Sequence, residues 1–220
     1  YSQLCDIYYP GVDVAVRSSA TTEDSKEASF AGQYESFLNV SGEVEIVEKW
    51  RRCIASMFTE RSVGYHLENG LHPLDSAVAV VVMKMARSDK ACSGVMFTID
   101  PDSGHEGVIH IASSYGLGEL VVQGVVIPDT FTIWKEGLRK GKSPIVHRTL
   151  GSKEQMLVYG DEMANEVSSV RVPIDMRKRW SLDSEECVKL GEMAVLIEEY
   201  FDRPMDIEWA KDGVDNEIYI

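Results

Sequence analysis

The chain has 220 residues, 44% of them apolar and 26% charged, enough apolar material for one or two packed domains. Its 36 Asp and Glu outweigh 22 Lys and Arg, giving a formal charge of −14 and a pI near 4.8. Such a surface repels nucleic-acid backbones and anionic lipid, and no apolar run approaches the roughly 18 residues of a membrane span, so neither partner is expected.

Four scattered cysteines (Cys5, Cys53, Cys92, Cys187) without a C-x-x-C pair read as reduced thiols of a cytoplasmic protein. The chain opens at Tyr1 without Met and closes on Glu217-Ile218-Tyr219-Ile220, which reads as mid-strand; a piece of a longer protein is expected.

In chain order, Val12, Val14 and Val16 alternate with Asp13, Ala15 and Arg17, which predicts a strand. Residues 18–33, rich in small residues and acids, read as a loop. Apolar residues at Ile46, Val47, Trp50, Cys53, Ile54, Met57 and Phe58 recur every three or four positions and predict one amphipathic helix from 43 to about 65. Asn69-Gly70 and His72-Pro73 mark a turn and a candidate subdivision near 70–76. The Val-rich run 77–85 reads as a strand buried on both faces. Further strands are expected at 94–99, 108–112 and 130–134. Asp183 and Glu186 can cap a helix that turns Cys187, Leu190, Ala194, Ile197 and Phe201 inward, and 205–210 with 217–220 form a terminal hairpin. The sum is an α+β or mixed α/β domain.

Several motifs come close and fail. Gly137 to Ser143 resembles a phosphate-binding P-loop, but three residues separate Gly137 from Gly141 where four are needed, and no helical pattern follows. His105-Glu106 with His110 misses the i, i+4 spacing that puts two imidazoles on one helical face. Gly116-Leu117-Gly118-Glu119 lacks the third glycine of a dinucleotide fingerprint.

Three stretches carry more. Val14-Ala15-Val16-Arg17-Ser18-Ser19-Ala20 places a guanidinium where a strand runs into small residues. That suits an anion, because Arg offers bidentate donors and small residues let backbone N–H groups approach; a salt-bridged Arg at a strand end reads equally well. Gly116-Leu117-Gly118-Glu119 could present a carboxylate to a hard cation, or be a plain turn. In Asp206-Ile207-Glu208-Trp209, strand alternation puts both carboxylates on one face while Ile207 and Trp209 enter the core. Paired like charges suit Mg²⁺, and an ordinary solvated strand face would alternate in the same way.

Taken together and in order, these stretches with Ala28-Ser29-Phe30-Ala31-Gly32-Gln33, Ser93-Gly94-Val95-Met96-Phe97-Thr98 and Pro204-Met205-Asp206-Ile207-Glu208-Trp209-Ala210 resemble the nucleotide-binding domain of the phosphoenolpyruvate synthases (pyruvate, water dikinases). The resemblance runs from residue 12 to the end, and the run from Arg87 to Phe97 favours that branch over pyruvate phosphate dikinases, rifampicin phosphotransferases and glucan water dikinases. It implies an ATP-grasp-like domain that binds ATP with Mg²⁺ and passes the β-phosphoryl group to a histidine on a swivelling domain, which then visits a pyruvate-binding barrel. Neither of those domains, nor the lobe supplying an ATP-binding Lys, lies in these residues, and none of His66, His72, His105, His110 or His147 has the phosphohistidine setting.

Carried over by position, the resemblance implies Arg17 on ATP phosphate, Gly32 and Ser36 against the nucleotide, and Met83 and Met85 beside the adenine pocket. Asp206 and Glu208 would meet the Mg²⁺–phosphate cluster, Glu208 the first choice as direct ligand and Glu119 a further candidate. Met83 stands where the family usually has Gln, and a thioether cannot replace an amide's hydrogen bonds. The chain also stops short of the family's Gln-x-Arg, so these residues alone are expected to bind nucleotide weakly and not to turn over. The alternatives are the ATP module of an antibiotic or glucan dikinase, and a non-catalytic nucleotide-binding or interaction module.

Overall fold

The computed structural model describes residues 1–21, 34–72, 74, 77–160 and 167–220, and these form a mixed α/β chain of two units, Tyr1–Met85 and Ala86–Ile220. In the first unit, α1 (Ser2–Ile7) precedes β1 (Val14–Ala20), the central strand of an antiparallel sheet. Its neighbours are β2 (Ser36–Val40) and β3 (Val78–Lys84). β1 pairs with β3 along its whole length, from Val14 opposite Lys84 to Ala20 opposite Val78. Val12, Val14 and Val16 turn to one face, where they pack with Val40 and with Ile46 and Cys53 of α2 (Glu43–Ala55).

Two expectations are corrected here. The predicted helix over 43–65 is two helices: α2 ends in a 3-10 turn at Ser56–Phe58, and α3 (Glu60–Glu68) starts afresh. The Ser56 hydroxyl donates to Cys53 O at 2.6 Å. Thr59 turns extended (φ −67, ψ 152), so that its side chain accepts from the Ser62 N–H and caps α3. Ser and Thr offer the backbone alternative partners, and here they end one helix and begin the next. Secondly, β3 is not buried on both faces. Its exposure alternates, leaving Val81 44% and Met83 40% exposed, because α2 covers only the face that carries Val80 and Val82.

The division of the chain falls after Met85 rather than at 70–76. β3, which follows residues 70–76, is hydrogen-bonded to β1 within the first unit, and residues 73, 75 and 76 lie outside the described residues.

The second unit is built on a six-stranded antiparallel sheet in the order β11-β10-β4-β5-β6-β7. Its strands are β4 (Cys92–Phe97), β5 (Val108–Tyr115), β6 (Asp129–Trp134), β7 (Ile145–Thr149), β10 (Asp206–Lys211) and β11 (Ile218–Tyr219). Between them lie α4 (Glu119–Val122), α5 (Lys135–Arg139), the hairpin β8 (Gln155–Tyr159) and β9 (Val167–Arg171), and α6 (Ile174–Arg177). One face of the sheet is covered by α7 (Ser184–Phe201), which begins in the expected capping box: the Glu186 N–H donates to Asp183 at 2.9 Å and the Asp183 N–H to Glu186 at 2.8 Å. Cys187, Leu190 and Ala194 of α7 meet Met96, Ile109, Ile111, Phe131, Ile133, Ile207 and Trp209 in the core of this unit.

The four cysteines are free thiols. Among the described residues no helix is long and apolar enough to cross a membrane.

Candidate functional site

The candidate residues fall in both units. In the first, strand alternation sends Arg17 to the sheet face opposite α2, in register with Ser36 of β2 and Val81 of β3. Directly opposed residues of antiparallel strands share a face, so Arg17, Ser36 and Val81 stand in one row. Ala15 and Met83 form the next row on the same face. Arg17 and Ser36 are both exposed, and among the described residues the guanidinium has no ion-pair partner. The salt-bridged reading of Arg17 thus finds no partner here. β2 carries a bulge against β1, where the register shifts between Val14 and Val16, and Asn39 takes a left-handed φ of 55. Met85 is 6% exposed and donates its N–H to Asp13 O at 2.9 Å. Gly32 lies outside the described residues.

In the second unit Asp206 and Glu208 project from β10 on the face away from α7, while Ile207 and Trp209 enter the core, the alternation expected from the sequence. Phe97 lies opposite Asp206 and Val95 opposite Glu208 on β4. Partial burial pushes the Asp206 carboxyl above its ordinary value, and a hydrogen bond from the Ile207 N–H pulls part of the way back. Among the described residues neither carboxylate has an ion-pair partner.

Beyond the end of β5, the loop Gly116-Leu117-Gly118-Glu119 turns over this same face, with Gly118 above Ser93. Ser93 opposes Ala210 and so shares the face of Glu208. The Ser93 hydroxyl donates to Gly116 O at 2.6 Å. Gly116 has φ +84, and a Cβ there would stand 2.5 Å from Leu157 O, so both conformation and packing call for glycine. Glu119 is the exposed first residue of α4.

Among the described residues no three His, Cys, Asp or Glu groups converge to enclose a metal, so Glu119 does not complete a cage with Asp206 and Glu208. Mg²⁺ does not require one, since it is commonly held by one or two carboxylates together with phosphate oxygens and water. Two carboxylates on one strand face, without an ion-pair partner among the described residues, fit that role.

Sequence reasoning passed over Ser93, although it lies within a quoted motif, because its contact to Gly116 is 23 positions away and depends on the pairing of β4 with β5. The failed P-loop is α5 followed by an exposed turn that leads into β7, the reverse of a strand, loop and helix. His105 precedes β5 and His110 lies within it, consistent with setting aside a helical zinc motif. A groove of about 510 Å³ lies between the 141–145 turn and α7, lined by Lys142, Arg148 and Lys189 among others. It is on the α7 side of the sheet and takes in none of the candidate residues.

The family model for the AMP/ATP-binding domain of pyruvate phosphate dikinase matches residues 1–220, and the chain belongs to that family. It is similar to phosphoenolpyruvate synthases: 46% identical over 208 residues to that of Escherichia coli (strain K12), covering 94% of this chain and 26% of that protein. Identity is 44% over 211 residues with the Neisseria meningitidis serogroup B protein (95% of this chain, 27% of that one). With a probable phosphoenolpyruvate synthase of Archaeoglobus fulgidus it is 42% over 220 residues (100% and 28%). The chain spans about a quarter of the length of the curated relatives it matches.

Proposed function

We propose that the chain is the ATP-binding module of a phosphoenolpyruvate synthase, an ATP-grasp-like, Mg²⁺-dependent part of a cytoplasmic enzyme. The parent reaction is ATP, pyruvate and water giving AMP, phosphoenolpyruvate and phosphate. This module presents the β-phosphoryl group of ATP to a histidine on a swivel domain elsewhere in the same protein, and a separate barrel holds pyruvate.

One observation carries the reading. The chain has 36 acidic residues, yet Arg17 stands exposed on an open sheet face with no ion-pair partner among the described residues. An Arg with no ion-pair partner among the described residues of so acidic a chain is available to an anionic ligand, and its planar fork suits phosphate.

On this reading Arg17 binds ATP phosphate, with Ser36 opposite it supplying a hydroxyl. Gly32 is assigned to the nucleotide from the resemblance alone. Met83, on the same face, offers an apolar, polarisable surface to the base, with Met85 behind it in sequence. Glu208, with Asp206 and then Glu119, would hold Mg²⁺, which when bound neutralises charge on the phosphates. Phosphoryl transfer depends on positioning and charge stabilisation, and these residues supply both without covalent chemistry of their own.

Titration of Mg·ATP into the full-length protein tests the assignment. Arg17→Ala and Glu208→Ala are each expected to weaken binding at least tenfold, the second with a raised Mg²⁺ requirement. ATP binding as tight as wild type in both variants would refute the site.

A further inference from the structure

Outside the candidate site, Asp129 at the start of β6 is a charged group with four hydrogen-bond donors around it. It is fully buried together with Lys153. Asp129 Oδ1 accepts from the Gly151 N–H at 2.8 Å and from Lys153 Nζ. Its Oδ2 accepts from both the Ser181 N–H and the Ser181 hydroxyl, each at 2.8 Å. Lys153 Nζ also donates to Gly151 O at 3.1 Å and lies 6.0 Å from the centre of the Tyr115 ring. Lys153 itself holds a left-handed φ of 40, and its N–H donates to Ile127 O at 3.1 Å. A buried ion pair and a left-handed non-glycine residue both cost free energy, and they persist only where the surroundings over-determine them. Apolar residues could fill the same volume, but they could not orient the N–H groups of two separate loops toward β6.

That constraint leads to the loop that carries Glu119. β8 begins just after Lys153, at Gln155, and its Leu157 O accepts the Leu117 N–H at 3.0 Å. The same carbonyl lies against Gly116, so tightly that no side chain fits. Tyr115, the last residue of β5, donates its hydroxyl to Met176 O at 3.1 Å and turns its ring toward Lys153. Fixing Lys153 therefore fixes where β8 starts, and β8 in turn holds the loop at Gly116 and Leu117 through Leu157 O.

We propose that the Asp129–Lys153 pair positions the Gly116-Leu117-Gly118-Glu119 loop, and through it the edge of the nucleotide site, a role that rests on the proposed reading of that loop as facing ATP. Neither residue touches nucleotide; both act through β8.

The test uses the full-length protein carrying Lys153→Met, and the double variant Asp129→Asn/Lys153→Met, which leaves no buried unpaired charge and so keeps the fold if the single variant loses it. Leu190→Ala, in the core under α7, serves as a control that loosens the unit without touching the loop. Amide hydrogen exchange is read at 116–119 and along β5, and Mg·ATP affinity is measured alongside. The expected result is exchange at least tenfold faster at 116–119 with β5 unchanged, and binding of Mg·ATP about tenfold weaker. Exchange at 116–119 that is unchanged, or that rises only in step with β5 as in Leu190→Ala, would overturn the positioning role. A loosened loop with unaltered Mg·ATP affinity would uphold the positioning of the loop and refute instead its placement at the nucleotide.

Discussion

Burial changes what a thiol can do in this protein. Cys92 and Cys187 are each pushed up to about 12, first by desolvation and then by the negative charge of Glu186. The ordinary value is 9.0, so above pH 9 the unfolded chain releases protons that the native state keeps. The stability these neutral thiols contribute is therefore whole below pH 9 and is lost as pH rises from 9 towards 12. At pH 10 the loss is on the order of 1 kcal/mol per thiol. Urea midpoints measured at pH 8 and pH 10 are expected to fall accordingly, and Cys187→Ala should remove about half of that thiol-linked drop. Met83 gives a second test at the same scale. It is 40% exposed on the face of Arg17, so Met83→Gln is expected to leave stability within about 0.5 kcal/mol. It should also tighten Mg·ATP about threefold to tenfold, as one added hydrogen bond would. Unchanged affinity would remove Met83 from the adenine side of the site.

At the scale of single elements, α7 was legible because two local signals agreed, a capping box at Asp183 and Glu186 and apolar residues at helical spacing behind it, though Phe201, expected inward, is half exposed at the helix end. Asp183→Ala is expected to cost about 1 kcal/mol in thermal or urea unfolding. A change in Glu186 should cost more, since its side chain also pairs with Lys211. The break between α2 and α3 was not legible, because the apolar spacing continues through Met57 and Phe58 while the capping action of Thr59 is local. β3 misled for another reason: a run of valines reports strand, but not which of its faces has a helix above it. β7 and β9 are mostly exposed and carried no apolar alternation to read. The carboxylates of β10 were visible as a two-residue alternation. The Asp129–Lys153 pair was not, since its members are 24 positions apart and meet only once β6 and the start of β8 are placed.

At the scale of the whole chain, the two units keep separate cores. The buried cluster around Val14, Val16, Ile46 and Cys53 draws only on residues of the first unit, and that around Leu190, Phe131 and Trp209 only on the second. Cores built from different stretches of chain can open independently, each with its own protection against hydrogen exchange. Leu190 is fully buried against the six-stranded sheet, so Leu190→Ala should cost about 3–5 kcal/mol through lost burial and the cavity left behind. That cost is expected to appear in the second unit, as faster exchange of β4, β5 and β6 amides, with β1 and β3 amides keeping their wild-type rates. Val14→Ala, in the other core, should show the mirror pattern at about 2 kcal/mol. If either substitution accelerated exchange equally in both units, the chain would be one cooperative body, and a change at β10 would then reach Arg17 through stability alone. Arg17 lies on the first unit, so the proposed phosphate contact predicts that Mg·ATP slows exchange of β1 to β3 amides, and amides there that kept their ligand-free rates would remove Arg17 from the site.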